Sequence, residues 1–574
     1  MISVSAVIRP DLYSQSMKRS DLIANILLWL TPLLLLLPNI ALDITEILYT
    51  PWEKILNIAV PGAIYILLMA WSRNTGRSTL FFIPIMVLCA FQIVLLFLYG
   101  ESIIAIDMFL NVVTTNATEV TELLGNLLTA VMTVIVIYLP LIILGILGMV
   151  RGSRTSDSMR GVAVKVGCGF AVVSVIAGCV AFTQNYTPTR RLFPANVLSN
   201  IAHAAERTVE TAEYHTKSAD FTFNATSTRD CDSPEIYVMV IGETSRADNW
   251  SLAGYERPTN PRLSCRKSLV YFPRTLSESN TTHKSVPMLM SHLNSDRFAD
   301  SIYCSKGIIE AFNEAGYSTA WISNQQHNHS LIDFFGQEAQ DAEFLCDSPG
   351  VHADEELITK LKDRLDGPHK AKMFVVLHTY GSHFNYHERY PESFNVFGPE
   401  ISTDASPDNR PGLINAYDNS IRYTDAVVDS VIGTLAQCNV PAALLYVSDH
   451  GEDIFDDYRN RFLHASPTPT YYQIHVPLLV WMSDSYIEQH PDKAVAAMRN
   501  SACNVSSSRS AFHTLMSMAG LTSPDYDSSA ALTEDGYIEP VRQYLNDYNE
   551  AVDLRSAGLR NADFNSLAAH NISR

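Results

Sequence analysis

The sequence predicts an α-helical membrane region of five spans followed by a soluble α/β domain built on a mainly parallel sheet. Three observations lead there. Five apolar runs, at Leu22 to Leu42, Ile55 to Trp71, Leu80 to Tyr99, Leu127 to Val150 and Val162 to Phe182, precede Thr183, and each is long enough to cross a bilayer as a helix. Beyond residue 233, β-rich apolar runs alternate with helical patterns. The charge is also divided: up to Thr183 the chain has 10 Lys+Arg and 10 Asp+Glu, leaving 31 basic and 50 acidic residues to carry the whole net charge of -19.

The loops orient the spans. Arg9, Lys18 and Arg19 precede the first, Arg73 and Arg77 separate the second from the third, and Arg151, Arg154, Arg160 and Lys165 separate the fourth from the fifth. By the positive-inside rule these segments are cytoplasmic. The alternate loops carry Asp43, Glu46, Glu53, Glu101, Asp107, Glu119 and Glu122 against Lys54 alone. They and everything after Phe182 are expected to face outward. The first run is long, lacks a small-residue cleavage site and is followed by four more spans, so it reads as a retained anchor.

The expected organisation is a membrane domain at 1–183 with an outward interfacial loop at 100–126, connector helices at 184–233 and a soluble domain at 234–574. An acidic soluble part argues against nucleic acid as a partner. Cys231, Cys265, Cys304, Cys346, Cys438 and Cys503 lie outside the spans. Six is an even number in an oxidising compartment, and up to three disulfides are expected.

In the soluble part, "EIYVMVIGE", "STAWISNQ", "KMFVVLHTYGSH", "PAALLYVSDHGE" and "VPLLVWMSD" read as strands. "SKGIIEAFNEAG", "ADEELITKLKDRLDG" and "INAYDNSIRYTDAVVDSVIGTLAQC" between them read as helices. This alternation means βα units and a sheet covered on both faces. Ligands of such sheets sit beyond the C-terminal strand ends, so the polar residues closing these runs are informative: Glu243, His378, His383, Asp449 and His450.

One further stretch carries chemistry. "LSESNTTHKSVPMLMSH" sets Thr281 and Thr282 before His283, Lys284 and Pro287. Glu243, Asp449, His450 and a threonine oxygen form a mixed N/O donor set that suits zinc, and a metal-held hydroxyl is a stronger nucleophile near neutral pH. His378, His383 and His464 are then available to bind a phosphoryl oxygen, hold a second metal or protonate a leaving group.

"VIGETSRADNWSLAGYERPTNP", "TTHKSVP", "LHTYGSH", "SDHGED" and "FLHASP", in this order behind five spans, resemble the membrane phosphoethanolamine transferases of the alkaline phosphatase and sulfatase superfamily. The resemblance covers nearly the whole chain. It implies Thr282 as the nucleophile, Glu243, Thr282, Asp449 and His450 as ligands of one tight zinc with a second possible, and His378, His383 and His464 near the substrate phosphate. In "NVVTTNATE", Asn111, Thr115 and Glu119 share one helix face, and the resemblance makes this loop the donor-lipid segment. The positions of the family's cysteines around the nucleophile are Glu278 and Met288 here, so that bridge is absent.

The implied reaction transfers phosphoethanolamine from phosphatidylethanolamine to a lipopolysaccharide or other envelope glycan through a phospho-threonine. The enzyme is expected to be a monomer in the inner membrane of a Gram-negative bacterium, with its catalytic domain in the periplasm. Two alternatives stand beside it. One is a superfamily phosphodiesterase or glycerol-phosphate transferase acting on another envelope substrate. The other is a membrane-anchored binding protein with a degenerate site.

Overall fold

The computed structural model describes residues 10–46, 49–100, 103–107, 128–348, 353–399 and 405–573. They form two compact units that divide at residue 204, inside a helix. The expected interfacial residues Asn111, Thr115 and Glu119 lie outside the described residues.

The first unit is helical: α1 (Pro10–Leu35), α2 (Leu37–Thr45), α3 (Pro51–Trp71), α4 (Thr75–Phe81), α5 (Ile83–Tyr99), α6 (Leu128–Val150) and α7 (Asp157–Ala181). Among the described residues, four stretches are long and apolar enough to cross a membrane, at 22–45, 51–71, 129–150 and 157–184. The expected third span is instead a bent pair, α4 and α5, meeting at 52°. Pro84 opens α5, and a proline cannot continue the hydrogen-bond ladder of the preceding turn. Thr50 and Glu53 close a reciprocal capping box at the start of α3. Helix α4 packs tightly on α6: a Cβ at Gly76 would lie 2.4 Å from the Met149 backbone nitrogen. Small residues permit such close approach between helices in lipid.

The residues expected to connect the domains form short helices and α8 (Ala195–Ala212), within which the two units divide.

The second unit is built on seven strands: β1 (Glu235–Gly242), β2 (Leu269–Tyr271), β3 (Ser318–Ser323), β4 (Asp341–Phe344), β5 (Lys372–His378), β6 (Ala442–Ser448) and β7 (Leu478–Met482). Their order is β2-β7-β6-β1-β5-β3-β4. Strand β7 runs antiparallel to both neighbours, and the other pairs are parallel. Helices α9 (Thr282–Met290), α10 (Arg410–Gln437) and α11 (Ser507–Ala519) are among those that cover the faces.

The central strands are buried throughout because both faces are covered. Tyr237, Met239 and Ile241 enter one core with Phe374, Val376, Leu445 and Val447. Val238 and Val240 enter the other with Val375, Leu377 and Leu444. This is the period of two expected of a pleated strand. The register pairs Ile241 with His378 and Gly242 with Ser448. The polar segments after β1, β5 and β6 therefore leave the sheet side by side.

The expected disulfides are not formed: all nine cysteines are free. Cys265, Cys346 and Cys438 turn their thiols to the carbonyls of Pro261, Asn324 and Thr434. An even count carries no information on whether Cβ atoms approach closely enough to bridge.

Candidate active site and metal cluster

Helix α9 begins at Thr282, with Thr281 as its extended N-cap. Thr282 Oγ1 lies 3.1 Å from His450 Nε2 and 3.3 Å from Glu243 Oε1. Thr281 Oγ1 instead meets Ser279 Oγ at 3.1 Å. Of the two threonines, the structure brings Thr282 to the strand-end residues.

His450 Nε2 is 3.4 Å from Glu243 Oε1 and 3.2 Å from Asp449 Oδ2. Its Nδ1 faces the Gly451 carbonyl at 3.0 Å. A carbonyl only accepts, so Nδ1 carries the proton and Nε2 offers a lone pair to the cluster. Burial and the neighbouring His464 hold His450 well below its usual range, which keeps it neutral. Asp449 Oδ1 accepts from the amides of Thr244 and His450 at 3.2 and 2.7 Å. Its buried Oδ2 has no hydrogen-bond partner among the described residues. Burial and the Glu243 carboxylate push Asp449 well above the usual carboxylate range.

Acceptors thus converge where a cation is needed. A carboxylate oxygen without a donor, an imidazole lone pair, a second carboxylate and a hydroxyl form a donor set that fits a divalent metal of zinc type, and the Gly451 carbonyl supplies the outer contact that fixes a ligating imidazole.

His464 joins this group. One ligand atom from each of Glu243, His450 and His464 lies within 4.8 Å of the other two. His464 Nδ1 faces Glu452 Oε2 at 3.0 Å. Burial raises Glu452 to about 8, and the Tyr386 hydroxyl donates to its other oxygen. His383 stands next to His464, with ring centroids 5.9 Å apart, and its Nδ1 lies 2.7 Å from the Phe384 carbonyl. His378 is set differently. It is buried in the sheet, with Nδ1 3.2 Å from Ser323 Oγ and its ring against Trp321. No contact ties its imidazole to Glu243 or His450 among the described residues.

Some contributors escape sequence reading. Gln325 Nε2 donates to Glu243 Oε2 at 3.2 Å and to the Thr379 carbonyl at 3.0 Å. It stands just beyond the end of β3, in "STAWISNQ", so the strand-end rule that selects Glu243 and Asp449 also reaches it. Thr244 adopts a left-handed backbone, φ 59°, and its hydroxyl donates to Glu243 Oε1 at 2.8 Å. Such strain is costly for a β-branched residue and gathers at functional sites. Gly381 also has positive φ, and a Cβ there would come within 2.6 Å of the Glu243 carbonyl. The "YGSH" turn can approach Glu243 only as glycine.

Polar ties hold the nucleophile loop, where Glu278 and Met288 leave no cysteine bridge. Buried Glu278 accepts from the Ser295 amide at 2.8 Å and from Ser506 Oγ at 2.6 Å. The Ser277 hydroxyl donates to the Asp449 carbonyl at 2.7 Å, and Tyr544 donates to Asn280 Oδ1 at 2.6 Å.

Comparison with known proteins gives the chain its relatives. The Sulfatase family matches residues 235–521, half of the chain. Phosphoethanolamine transferase EptA of Salmonella typhimurium is 31% identical over 332 residues, covering 54% of this chain and 57% of that protein. The chain thus spans little more than half the length of the curated relatives it matches. The integral membrane protein lipooligosaccharide phosphoethanolamine transferase A from Neisseria meningitidis superposes with a TM-score of 0.68 at 21% identity, over 89% of this chain and 97% of that one. The periplasmic domain of Escherichia coli EptC in complex with Zn superposes with a TM-score of 0.53 at 24% identity, over 59% of this chain and 97% of that one. At these identities the structures show a shared fold. Glu243, Thr282, Asp449, His450 and His464 all fall inside the matched segment, and the chain belongs to the sulfatase family, with phosphoethanolamine transferases as its relatives.

Proposed function

We propose that this protein is a zinc-dependent phosphoethanolamine transferase of the bacterial inner membrane, with its catalytic unit in the periplasm. It takes phosphoethanolamine from phosphatidylethanolamine onto Thr282 and passes it to a lipopolysaccharide acceptor. The observation that carries this reading is Thr282 Oγ1 at the start of α9, 3.1 Å from His450 Nε2 and 3.3 Å from Glu243 Oε1. The names of the relatives support the transferred group, the Zn complex of EptC supports the metal, and the lipooligosaccharide enzyme supports the acceptor class. Helices long and apolar enough to span a membrane suit a donor that is a bilayer lipid.

Glu243, Asp449, His450 and Thr282 would hold the zinc, with His464 within reach. When bound, the metal supplies Lewis-acid stabilisation of negative charge at the reacting oxygens. The remaining work falls to side chains. Thr282 Oγ1, its proton released to solvent, forms the new bond to phosphorus while the diacylglycerol oxygen departs in line; in the second transfer the acceptor oxygen bonds to phosphorus as the Thr282 Oγ1–P bond breaks and Oγ1 regains a proton. The N-terminus of α9 favours the phosphoryl anion. His464, aligned through Nδ1 by Glu452, gives a proton from Nε2 to the leaving oxygen and later takes one from the acceptor hydroxyl. His383 lies beside it for the phosphoryl oxygens. Glu119, with Asn111 and Thr115, is assigned to the ethanolamine headgroup, a carboxylate for an ammonium.

The test is peptide mass spectrometry after incubation with phosphatidylethanolamine and no acceptor. A phosphoethanolamine adduct on Thr282 is expected. An adduct on Thr281, or none on zinc-replete protein, overturns the assignment.

A further inference from the structure

A groove of about 630 Å³ lies on the helical unit, and the reaction above gives it no role. Its size falls in the ~300–1,000 Å³ range of small-molecule sites. Ile55, Ile58 and Ala59 of α3 and Val166, Phe170 and Val173 of α7 form its walls, and Asp43 and Lys54 are its charged residues. A furrow that is apolar along its length and charged at one end has the chemical layout of a phospholipid.

Helices α3 and α7 run antiparallel and close together. A Cβ at Gly62 would meet the Phe170 ring at 3.3 Å, and one at Gly167 would meet Leu67 at 2.7 Å. Gly169 is set differently: two residues on, it points about 200° away from Gly167, and a Cβ there has nothing within 4 Å. The missing side chain leaves the furrow open. From Lys54 to Leu67, which packs on Gly167, α3 rises about 20 Å. That is more than half of the ~30 Å hydrocarbon core, enough for an acyl chain of one leaflet.

The charged end is formed by the last turn of α2 and the first turn of α3, which carry Asp43 and Lys54. Lys54 Nζ donates to the Asp43 carbonyl, and Asn57 Nδ2 donates to Asp43 Oδ1 at 2.8 Å. The ammonium and the carboxylate therefore stand side by side, with no ion-pair contact between them among the described residues. Trp52, in the same turn as Lys54, is partly exposed. Tryptophan gathers at membrane–water boundaries, which suits headgroup depth. An acidic lipid would meet Lys54 but face the Asp43 carboxylate. A headgroup bearing both phosphate and ammonium complements both.

We infer that this groove holds one zwitterionic phospholipid, with its phosphate on Lys54, its ammonium on Asp43 and an acyl chain along α3 and α7 over Gly169. Neither Thr282 nor the loop carrying Asn111, Thr115 and Glu119 takes part, so the inference does not rest on the transfer reaction.

Full-length Thr282→Ala protein, used so that no headgroup is consumed, is irradiated in maltoside detergent with phosphatidylethanolamine or phosphatidylglycerol carrying a diazirine on one acyl chain. Labelled peptides are mapped by mass spectrometry. Labelling within 54–59 and 166–173 is expected to saturate at about tenfold lower phosphatidylethanolamine than phosphatidylglycerol, the factor that 1.4 kcal/mol carries. Gly169→Leu places a side chain in the empty furrow and should weaken this labelling by about tenfold. Asp43→Asn keeps an oxygen for Asn57 and should erase the preference between the two lipids. Equal labelling by both lipids in the parent protein would mean a plain hydrocarbon furrow. Labelling untouched by Gly169→Leu would place the chain elsewhere, and a preference that survives Asp43→Asn would mean that the carboxylate does not read the headgroup. Each of these results overturns the inference. The Thr282 adduct experiment reads the other unit, so either result can fail without the other.

Discussion

Gln325 Nε2 lies 3.2 Å from Glu243 Oε2 and 3.0 Å from the Thr379 carbonyl, so one amide ties the carboxylate to the loop after β5. The bond leaves Glu243 Oε1 turned toward Thr282 and His450. A contact that orients a metal ligand is typically worth about 10–100-fold in affinity. Gln325→Ala should therefore weaken zinc binding by about that factor, read by metal content across buffered free zinc. Unchanged affinity would show that Glu243 is positioned without it.

Glu278 should prove structural. Its carboxylate takes the Ser295 amide and the Ser506 hydroxyl in a buried site, and removing it leaves both donors unsatisfied, at about 1–3 kcal/mol. Glu278→Ala is expected to lower the unfolding midpoint and to speed amide exchange across residues 277–283. Wild-type exchange there would show that the loop is held by other contacts.

The arginine of the "GETSRA" block is a strut. Arg246 Nη1 donates to Asp456 Oδ2 at 2.6 Å and to the Glu452 carbonyl at 3.1 Å, all buried. Asp456 keeps Arg410 Nη2 at 2.8 Å as a second partner, so losing Arg246 should cost less than the ~3–5 kcal/mol of a buried charge left alone. Arg246→Ala should lower the denaturation midpoint, and Arg246→Ala with Asp456→Ala should recover part of the loss in chemical denaturation. No recovery would show that the pair is not what Arg246 contributes.

Burial holds His378 down at about 3, against an ordinary 6.5. It stays neutral at pH 7 and cannot serve there as the proton donor. The unfolded chain takes up a proton below 6.5 that the folded chain refuses. Its contribution to stability is thus full above 6.5 and is lost as pH falls from 6.5 toward 3. His378→Gln should flatten that decline in the denaturation midpoint between about pH 4 and 7. An unchanged slope would mean that other groups dominate it.

Much of this site is legible in the sequence. The runs "EIYVMVIGE" and "PAALLYVSDHGE" end on charged residues, and a parallel sheet must bring such ends together. Glu243, Asp449 and His450 therefore cluster. Gln325 obeys the same rule but is an amide, and attention to titratable groups passes over it. His378 shows the limit in the other direction, since a strand-end position does not reveal that its ring packs on Trp321. The α4–α5 bend follows from Pro84, but a hydropathy run averages over a proline. Cysteine pairing depends on backbone approach in space, which a count cannot supply.

The most direct test of the central claim is mass analysis of envelope glycolipids from cells lacking the protein, cells expressing it and cells expressing Thr282→Ala at matched membrane levels. A phosphoethanolamine-bearing species is predicted only where wild-type protein is present. The same species at wild-type abundance with Thr282→Ala would contradict the account, because the hydroxyl 3.1 Å from His450 Nε2 would then not be the group that carries the headgroup.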